Sequence, residues 1–161
     1  MTSNRVVYNN KGEPVKQYEP YYSNTHDFID NETLNSFGVK LTLHYDPLGR
    51  VVRTDTAKGF FTKVEFNPWS EQHYDENDTV TDSDYYISNI DNADLPQEER
   101  TALQKAAVFY DTPAENILDN LGRTIRSIQR NKTEASGAVT SLTEHYGYGR
   151  ALKIMYTLID N

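Results

Sequence analysis

The sequence lacks cysteine altogether, which excludes disulfide bonds, thiolate metal ligands and cysteine nucleophiles. It also lacks an excess of positive charge. Residues 1–80 and 81–161 each carry 8 basic and 12 acidic residues, so neither half offers a basic stripe for nucleic acid. No apolar run approaches the roughly 18 residues that a membrane-spanning helix needs, and the N-terminus lacks the apolar region of a signal peptide. Length and composition are those of one acidic domain.

The hydrophobic pattern that is present has mostly a period of two, which is typical of strands with one buried face. From Val39 to Tyr45 the odd-numbered positions are apolar and the even-numbered ones polar. Short glycine-bearing turns lead to further strands at 50–54 and 60–66, which predicts an antiparallel meander. In the last of these, Phe60, Val64 and Phe66 are predicted to share one face with Thr62. Later strands are predicted at 116–118, 123–129, 139–145 and 151–159, with a hairpin tip at 135–138.

One acidic stretch interrupts this pattern. Residues 71–99 hold ten acidic residues and no Lys or Arg, which predicts a solvated acidic loop over 71–94. A helix is predicted near 95–110, with Asp94 as its cap. The apolar residues that predict it share one helical face: Leu103, Ala106, Ala107 and Tyr110. We expect a single domain over 1–161, mainly β, with this helix as an insertion.

A short turn motif recurs along the chain. Its clearest copy places Tyr45 four positions before Gly49, which Arg50 follows. Asp46 is predicted to hydrogen bond to the turn backbone, and Gly49 to supply a positive φ. Weaker copies with the same offset contain Gly12, Gly122 and Gly149, and another has Ser70 in place of glycine. The residues predicted to form the repeat turns are Tyr45, Asp46, Gly49, Arg50, Asp119, Gly122 and Arg123.

This motif resembles the YD repeat of the RHS proteins, whose core is Tyr-Asp-x-x-Gly-Arg. A set of segments occurs in the order seen in the RHS-repeat part of bacterial insecticidal toxin-complex (Tc) B/C-type subunits: 14–23, 45–56, 66–80 and 111–123. The resemblance covers roughly residues 4–146. An ordered set of this kind is a stronger signal than one copy of the motif.

The resemblance implies a fold and a role. In that family, arrays of YD-repeat hairpins form a hollow β-shell around a toxic domain. For this chain it implies antiparallel hairpins in an open curved sheet, a partial shell that is a fragment of a larger one. The implied function is a non-enzymatic scaffold that encapsulates a toxin or effector, without cofactor or metal.

The implied partners are other RHS-repeat segments or toxin-complex subunits, the enclosed effector polypeptide, and further copies of the chain through its strand edges. Nucleic acid and a membrane span are not expected. As part of a toxin system the chain would be secreted by a non-classical route, and otherwise it would be cytoplasmic.

Other functions remain open from the residues alone. A stand-alone carbohydrate- or protein-binding β module would use exposed aromatic rings, with Tyr18, Tyr21, Tyr22 and Trp69 as candidate ligand contacts, although alternating aromatics also form the inner face of a sheet. A hydrolase would need two converging carboxylates. The acidic residues at 75–84 could hold calcium, but Val80 and Tyr86 replace the glycine and glutamate of an EF-hand loop.

Overall fold

The computed structural model describes residues 5–30, 33–34, 38–132, 139–146 and 153–159, with residue 139 and the last range described by backbone alone. They contain ten strands and two helices, so the predicted mainly β fold class is confirmed. The chain divides into two compact units, Met1–Gly59 and Phe60–Asn161. The single-domain organisation stays a prediction, since two such units can still unfold together. No helix in the described part of the chain is long and apolar enough to cross a membrane.

The first unit contains four antiparallel strands in chain order. These are β1 (Val6–Tyr8), β2 (Pro14–Tyr18), β3 (Lys40–Tyr45) and β4 (Val51–Asp55). Lys16 lies opposite Thr42 and Leu43 lies opposite Thr54, which fixes the register of the middle pairs. The predicted strands at 39–45 and 50–54 are therefore present, each within one residue at either end. Tyr18 and Leu34 are the buried hydrophobic residues that the structure describes in this unit.

The second unit contains six antiparallel strands, again paired in chain order. These are β5 (Phe61–Asn67), β6 (Ser70–Tyr74), β7 (Ala114–Leu118), β8 (Thr124–Lys132), β9 (Val139–Tyr146) and β10 (Lys153–Ile159). Representative opposed residues are Val64 and His73, Asn116 and Ser127, and Ile128 and Thr143. The hairpin tip predicted at 135–138 lies outside the described residues.

Residues 75–113, which we call the insertion, leave the sheet after β6 and return at β7. They form a 3-10 turn at Val80–Asp82, helix α1 at Asp84–Asn89 and helix α2 at Gln97–Ala107. The insertion packs on the start of β5, where the Thr79 hydroxyl donates to the Phe61 carbonyl oxygen at 2.5 Å. Phe61, Val80 and Leu103 are the buried hydrophobic residues described in this unit, so its apolar core lies beneath the insertion.

The sequence predictions for this region need two corrections. Residues 71–94 are not a loop throughout, because β6 covers residues 70–74 and α1 covers 84–89. Asp94 does not cap α2: the capping position is Pro96, whose carbonyl oxygen accepts from the Arg100 amide at 3.0 Å. At β5, the residues predicted to share one face, Phe60, Val64 and Phe66, are half-buried, and the buried residue is Phe61.

A buried carboxylate joins the two ends of the insertion. Asp78, which is 7% exposed, accepts from the Asp75 amide at 2.9 Å. Its other oxygen accepts from the Thr112 hydroxyl at 2.7 Å and from the Thr112 amide at 3.2 Å. The Asp78 carbonyl oxygen also accepts from the amide of Asp111, which has a φ of 60°. Three hydrogen bonds of Asp78 thus join the exit of the chain to its return, and a fourth binds Asp78 to Asp75 within the exit.

Replacing Asp78 by alanine should therefore destabilise the protein strongly. Buried hydrogen bonds to a charged group contribute about 1.5–3 kcal/mol, and their loss leaves buried donors without acceptors, so we expect a decrease of about 2–4 kcal/mol in the free energy of unfolding. Thr112→Val, which replaces the hydroxyl by a methyl group, should lower the free energy of unfolding by about 1 kcal/mol. Urea denaturation measures both.

Asp91→Ala is the control, because Asp91 is an exposed carboxylate of the same insertion. We expect it to change the free energy of unfolding by less than about 0.5 kcal/mol. Equal effects of Asp78→Ala and Asp91→Ala would contradict the structural role of Asp78.

Candidate functional site

The candidate structural site is a turn that recurs between successive strands. It joins β1 to β2 at residues 9–13, β3 to β4 at 46–50, and β7 to β8 at 119–123. In each copy the fourth residue is a glycine with positive φ, which is 82° at Gly12, 81° at Gly49 and 73° at Gly122. A type I turn followed by a residue in the left-handed region forms a common hairpin loop, and glycine adopts that region without steric cost.

In each turn, the side chain of the first residue accepts hydrogen bonds from backbone amides of the turn. One Asp46 oxygen accepts from the amides of Leu48 and Arg50, both at 2.9 Å. One Asp119 oxygen accepts from the amides of Leu121 and Arg123 at 2.8 and 2.9 Å. The two turns thus have the same hydrogen bonds to within 0.1 Å. Such side-chain bonds to the local backbone are what make aspartate a frequent first residue of turns.

The second oxygen of each aspartate binds the arginine that begins the return strand. Arg50 Nε donates to Asp46 at 2.7 Å, and Arg123 Nε donates to Asp119 at 2.8 Å. The Nη2 atom of each arginine lies 2.7 Å from the same Oδ2 atom, so each guanidinium contacts one carboxylate oxygen through two nitrogens. We call this aspartate–arginine arrangement the turn clamp.

The turn clamp holds the pKa of both aspartates below the usual range. At Asp46 and at Asp119 the largest cause is the hydrogen bond from the backbone amide of the arginine, and the arginine side chain adds to it. These bonds favour the charged carboxylate. The clamp therefore stabilises the turn through charge as well as through the geometry of its hydrogen bonds.

The first turn is a variant of the clamp without an ion pair. The Asn9 side-chain oxygen accepts from the amides of Lys11 and Glu13 at 2.9 and 3.0 Å. Its amide group then donates to the Glu13 carboxylate at 2.7 Å, where the other copies have an arginine donating to an aspartate. Glu13 also approaches the next turn, since a Cβ on Gly49 would lie 2.6 Å from its Oε1.

The copy predicted at residues 66–70 does not form this turn. Asn67 lies opposite Ser70, so β5 and β6 are joined by a two-residue loop of Pro68 and Trp69. Within the described residues the only positive φ outside glycine belongs to Asp111, so Ser70 does not take the conformation that the motif needs. The copy that ends at Gly149 lies outside the part of the chain that the structure describes.

The candidate aromatic contacts fall into two groups. Tyr18 is 5% exposed, which corrects its prediction as a ligand contact because its ring is covered by protein. Tyr21 is half-buried. Tyr22 and Trp69 are 82% and 61% exposed, one in each compact unit. Each unit thus presents one accessible ring from the predicted set.

Two of the acidic residues at 75–84, Asp75 and Asp78, are engaged in hydrogen bonds with protein groups. One Asp75 oxygen accepts from the amides of Asn77 and Asp78 at 2.7 and 2.9 Å, and Asp78 is buried as described above. Across the described ranges, no three His, Asp or Glu side chains are grouped as a metal site requires. An open cleft of about 540 Å³ lies beside Asp78, lined by residues that include His73, Thr112 and Arg130.

A histidine contact crosses β3 and β4, outside the predicted sites. His44 Nε2 lies 2.5 Å from Asp55, which also accepts from Arg53 at 2.6 Å. Burial acts to raise the pKa of Asp55, but the bonds from Arg53 and His44 outweigh it and the pKa is lowered. The three side chains are exposed or half-exposed, as is typical of polar contacts on the surface of a sheet.

Solved structures of Tc toxin complexes resemble this chain. A structure of TcdB2–TccC3 is 29% identical over 91% of the chain with a TM-score of 0.70, and TcdB2–TccC3–Cdc42 is 29% identical with a TM-score of 0.73. A Photorhabdus luminescens Tc holotoxin pore is 30% identical over 91% of the chain, with a TM-score of 0.73. The chain covers 6% of the length of each. No family model and no curated protein matches it. The predicted resemblance to a Tc RHS-repeat region is confirmed.

The turn clamps should make stability depend on pH in the acid range. The pKa of Asp46 and of Asp119 is lower in the folded than in the unfolded protein. The clamps therefore stabilise the folded protein fully when the pH is above the pKa of the unfolded state, about 4. This stabilisation is lost as the pH falls through the pKa values of the folded state. In the double variant Asp46→Asn/Asp119→Asn the Tm should therefore fall less steeply below about pH 4 than in the unmodified chain.

Calorimetry at several pH values in the acid range measures how steeply the Tm of each protein changes with pH. Asparagine retains the oxygen that accepts from the turn amides, as at Asn9, so the variant should fold. Asp91→Asn/Asp94→Asn is the matched control, because it removes the same charge from two exposed positions of the insertion. Equal slopes in the two double variants would contradict the electrostatic role of the clamps.

Proposed function

We propose that the chain is a non-enzymatic structural segment of a Tc-type RHS shell, which joins other repeat segments or toxin-complex subunits to enclose an effector polypeptide. The observation that carries the proposal is the turn clamp at Asp46 and Asp119, repeated with the same bonds in a chain that matches Tc structures over 91% of its length. A repeated hairpin with a fixed turn is a unit from which an extended wall can be built. In that role the chain acts outside the cell that makes it.

The distribution of apolar residues also supports a role within an assembly. The structure describes five buried hydrophobic residues against eleven exposed large ones. Two of the exposed residues, Leu48 and Leu121, occupy the same position in the two turn clamps and are 78% and 70% exposed. Apolar side chains at equivalent positions of repeated turns are available for contact with a further chain of an assembly.

The outer edge of β1 offers a place for such association. The Tyr18 amide donates to the Arg5 carbonyl oxygen at 3.0 Å, and Val6 lies opposite Gln17. Hydrogen-bonded and non-bonded residues alternate along an antiparallel pair, so the amide and carbonyl of Val6 point away from β2. An edge of this kind pairs readily with a further strand.

The alternative function is a stand-alone module that binds a carbohydrate or a protein through exposed aromatic rings. The exposure of Tyr22 and Trp69 favours it. Such a module has no need to associate, so its oligomeric state separates it from the scaffold.

Association should therefore depend on concentration and on the β1 edge. We expect the sedimentation coefficient to increase with concentration, and to increase less in Val6→Pro, because proline removes an outward amide without removing a bond to β2. Val6→Thr keeps the amide and should behave as the unmodified chain.

A monomer at every concentration would contradict the scaffold and favour the binding module. Equal association of the two variants would exclude the β1 edge as the contact.

A further inference from the structure

The negative charge of the chain is concentrated in the insertion. Residues 75–113 contain ten acidic and two basic residues, a net charge of −8, which equals the net charge of the whole chain. The remaining residues contain 14 acidic and 14 basic side chains and are neutral as a set. The insertion is therefore the part of the chain that attracts a cationic partner and repels an anionic one.

An apolar groove of about 280 Å³ opens between this insertion and the start of β5. Its floor contains Val80 and Leu103, which are 3% and 7% exposed. One side is formed by the rings of Phe60 and Tyr85, whose centroids lie 5.1 Å apart. The volume is below the roughly 300–1,000 Å³ of small-molecule sites and suits one or two side chains of a polypeptide.

Helix α2 contributes small side chains to the lining of the groove. Ala102 and Ala106 lie four residues apart on α2 and line the groove with methyl groups alone. Two exposed carboxylates, Glu76 and Glu99, belong to the same lining. The groove thus combines an apolar interior with a negative rim, the arrangement that receives an apolar anchor flanked by positive charges.

We propose that this groove is a docking site for a basic peptide segment of a partner protein, which inserts one apolar side chain between α2 and the Phe60–Tyr85 pair and places Lys or Arg beside Glu76 and Glu99. The charge of the insertion selects a cationic polypeptide over nucleic acid or an anionic membrane, since phosphate groups would be repelled. A second copy of the chain is disfavoured, because it brings a second insertion of the same negative charge.

The test uses the full chain and fluorescently labelled synthetic peptides with a central Leu, Phe or Trp flanked by Lys and Arg. Each peptide has a partner in which serine replaces the central residue. Fluorescence anisotropy at low ionic strength should show saturable binding of at least one apolar-centred peptide, with weaker binding of its serine partner. No saturable binding by any peptide, or equal binding of the two forms, would overturn the proposal.

Two variants locate the site. Glu99→Lys should weaken peptide binding about fivefold, which corresponds to about 1 kcal/mol. Glu98→Lys is the matched control, because it makes the same change in the same first turn of α2 but lies outside the groove lining. Equal weakening by both variants would overturn the groove as the site and leave only general charge attraction.

A third variant tests the apolar interior. Ala102→Gln places a longer polar side chain on an exposed position of α2 that lines the groove, and should abolish the preference for the apolar-centred peptide. Thr101→Gln, one residue away and outside the lining, should retain it. Circular dichroism verifies that each variant is folded. If Glu99→Lys changed self-association instead of peptide binding, the occupant would be a second copy and the proposal would fail.

Discussion

A single side-chain oxygen that accepts from two backbone amides is the interaction on which these hairpins depend. When the chain reverses, the amides of the turn lose the partners that a strand ladder gives them, and each needs another acceptor. Asp46 and Asp119 supply it with one oxygen and use the other to bind the arginine at which the return strand begins. The reversal is thus stabilised by contacts within five residues, with little help from a hydrophobic core.

This local stabilisation explains how regular hairpins form although the described part of the chain has few buried hydrophobic side chains. In the first unit the described core contains Tyr18 and Leu34, yet four strands pair in register. The second unit has its apolar core beneath the insertion, where the Thr79 hydroxyl binds the Phe61 carbonyl oxygen. The hairpins therefore depend mainly on polar turns, whereas the insertion combines apolar burial with buried hydrogen bonds.

The features that the sequence predicts well are those stabilised by residues close together in the chain. The turns at Asp46 and Asp119, the strands on either side of the first, and the body of α2 all follow from residues within one motif or one helical face. Strand β6 was not predicted because its residues are polar, and it is held by pairing with β5 and β7 on both sides. The contact of Asp78 with Thr112 joins residues 34 positions apart, a separation that no periodicity reveals. The burial of Tyr18 is likewise tertiary, so the sequence alone could not separate it from the exposed Tyr22.

The net negative charge lies in the insertion and not in the sheets, and this affects how the chain can associate. Residues outside the insertion carry equal numbers of acidic and basic side chains, and in the turn clamps these are paired with one another. Strand edges that approach one another across neutral surfaces meet little long-range repulsion, whereas net charge keeps molecules apart. By concentrating its charge in an insertion that is anchored through Asp78, the protein can remain soluble while its hairpins stay free of the repulsion that would oppose edge pairing. In the proposed scaffold, the charge of the insertion would therefore limit indiscriminate aggregation, and the neutral sheets would permit ordered contact.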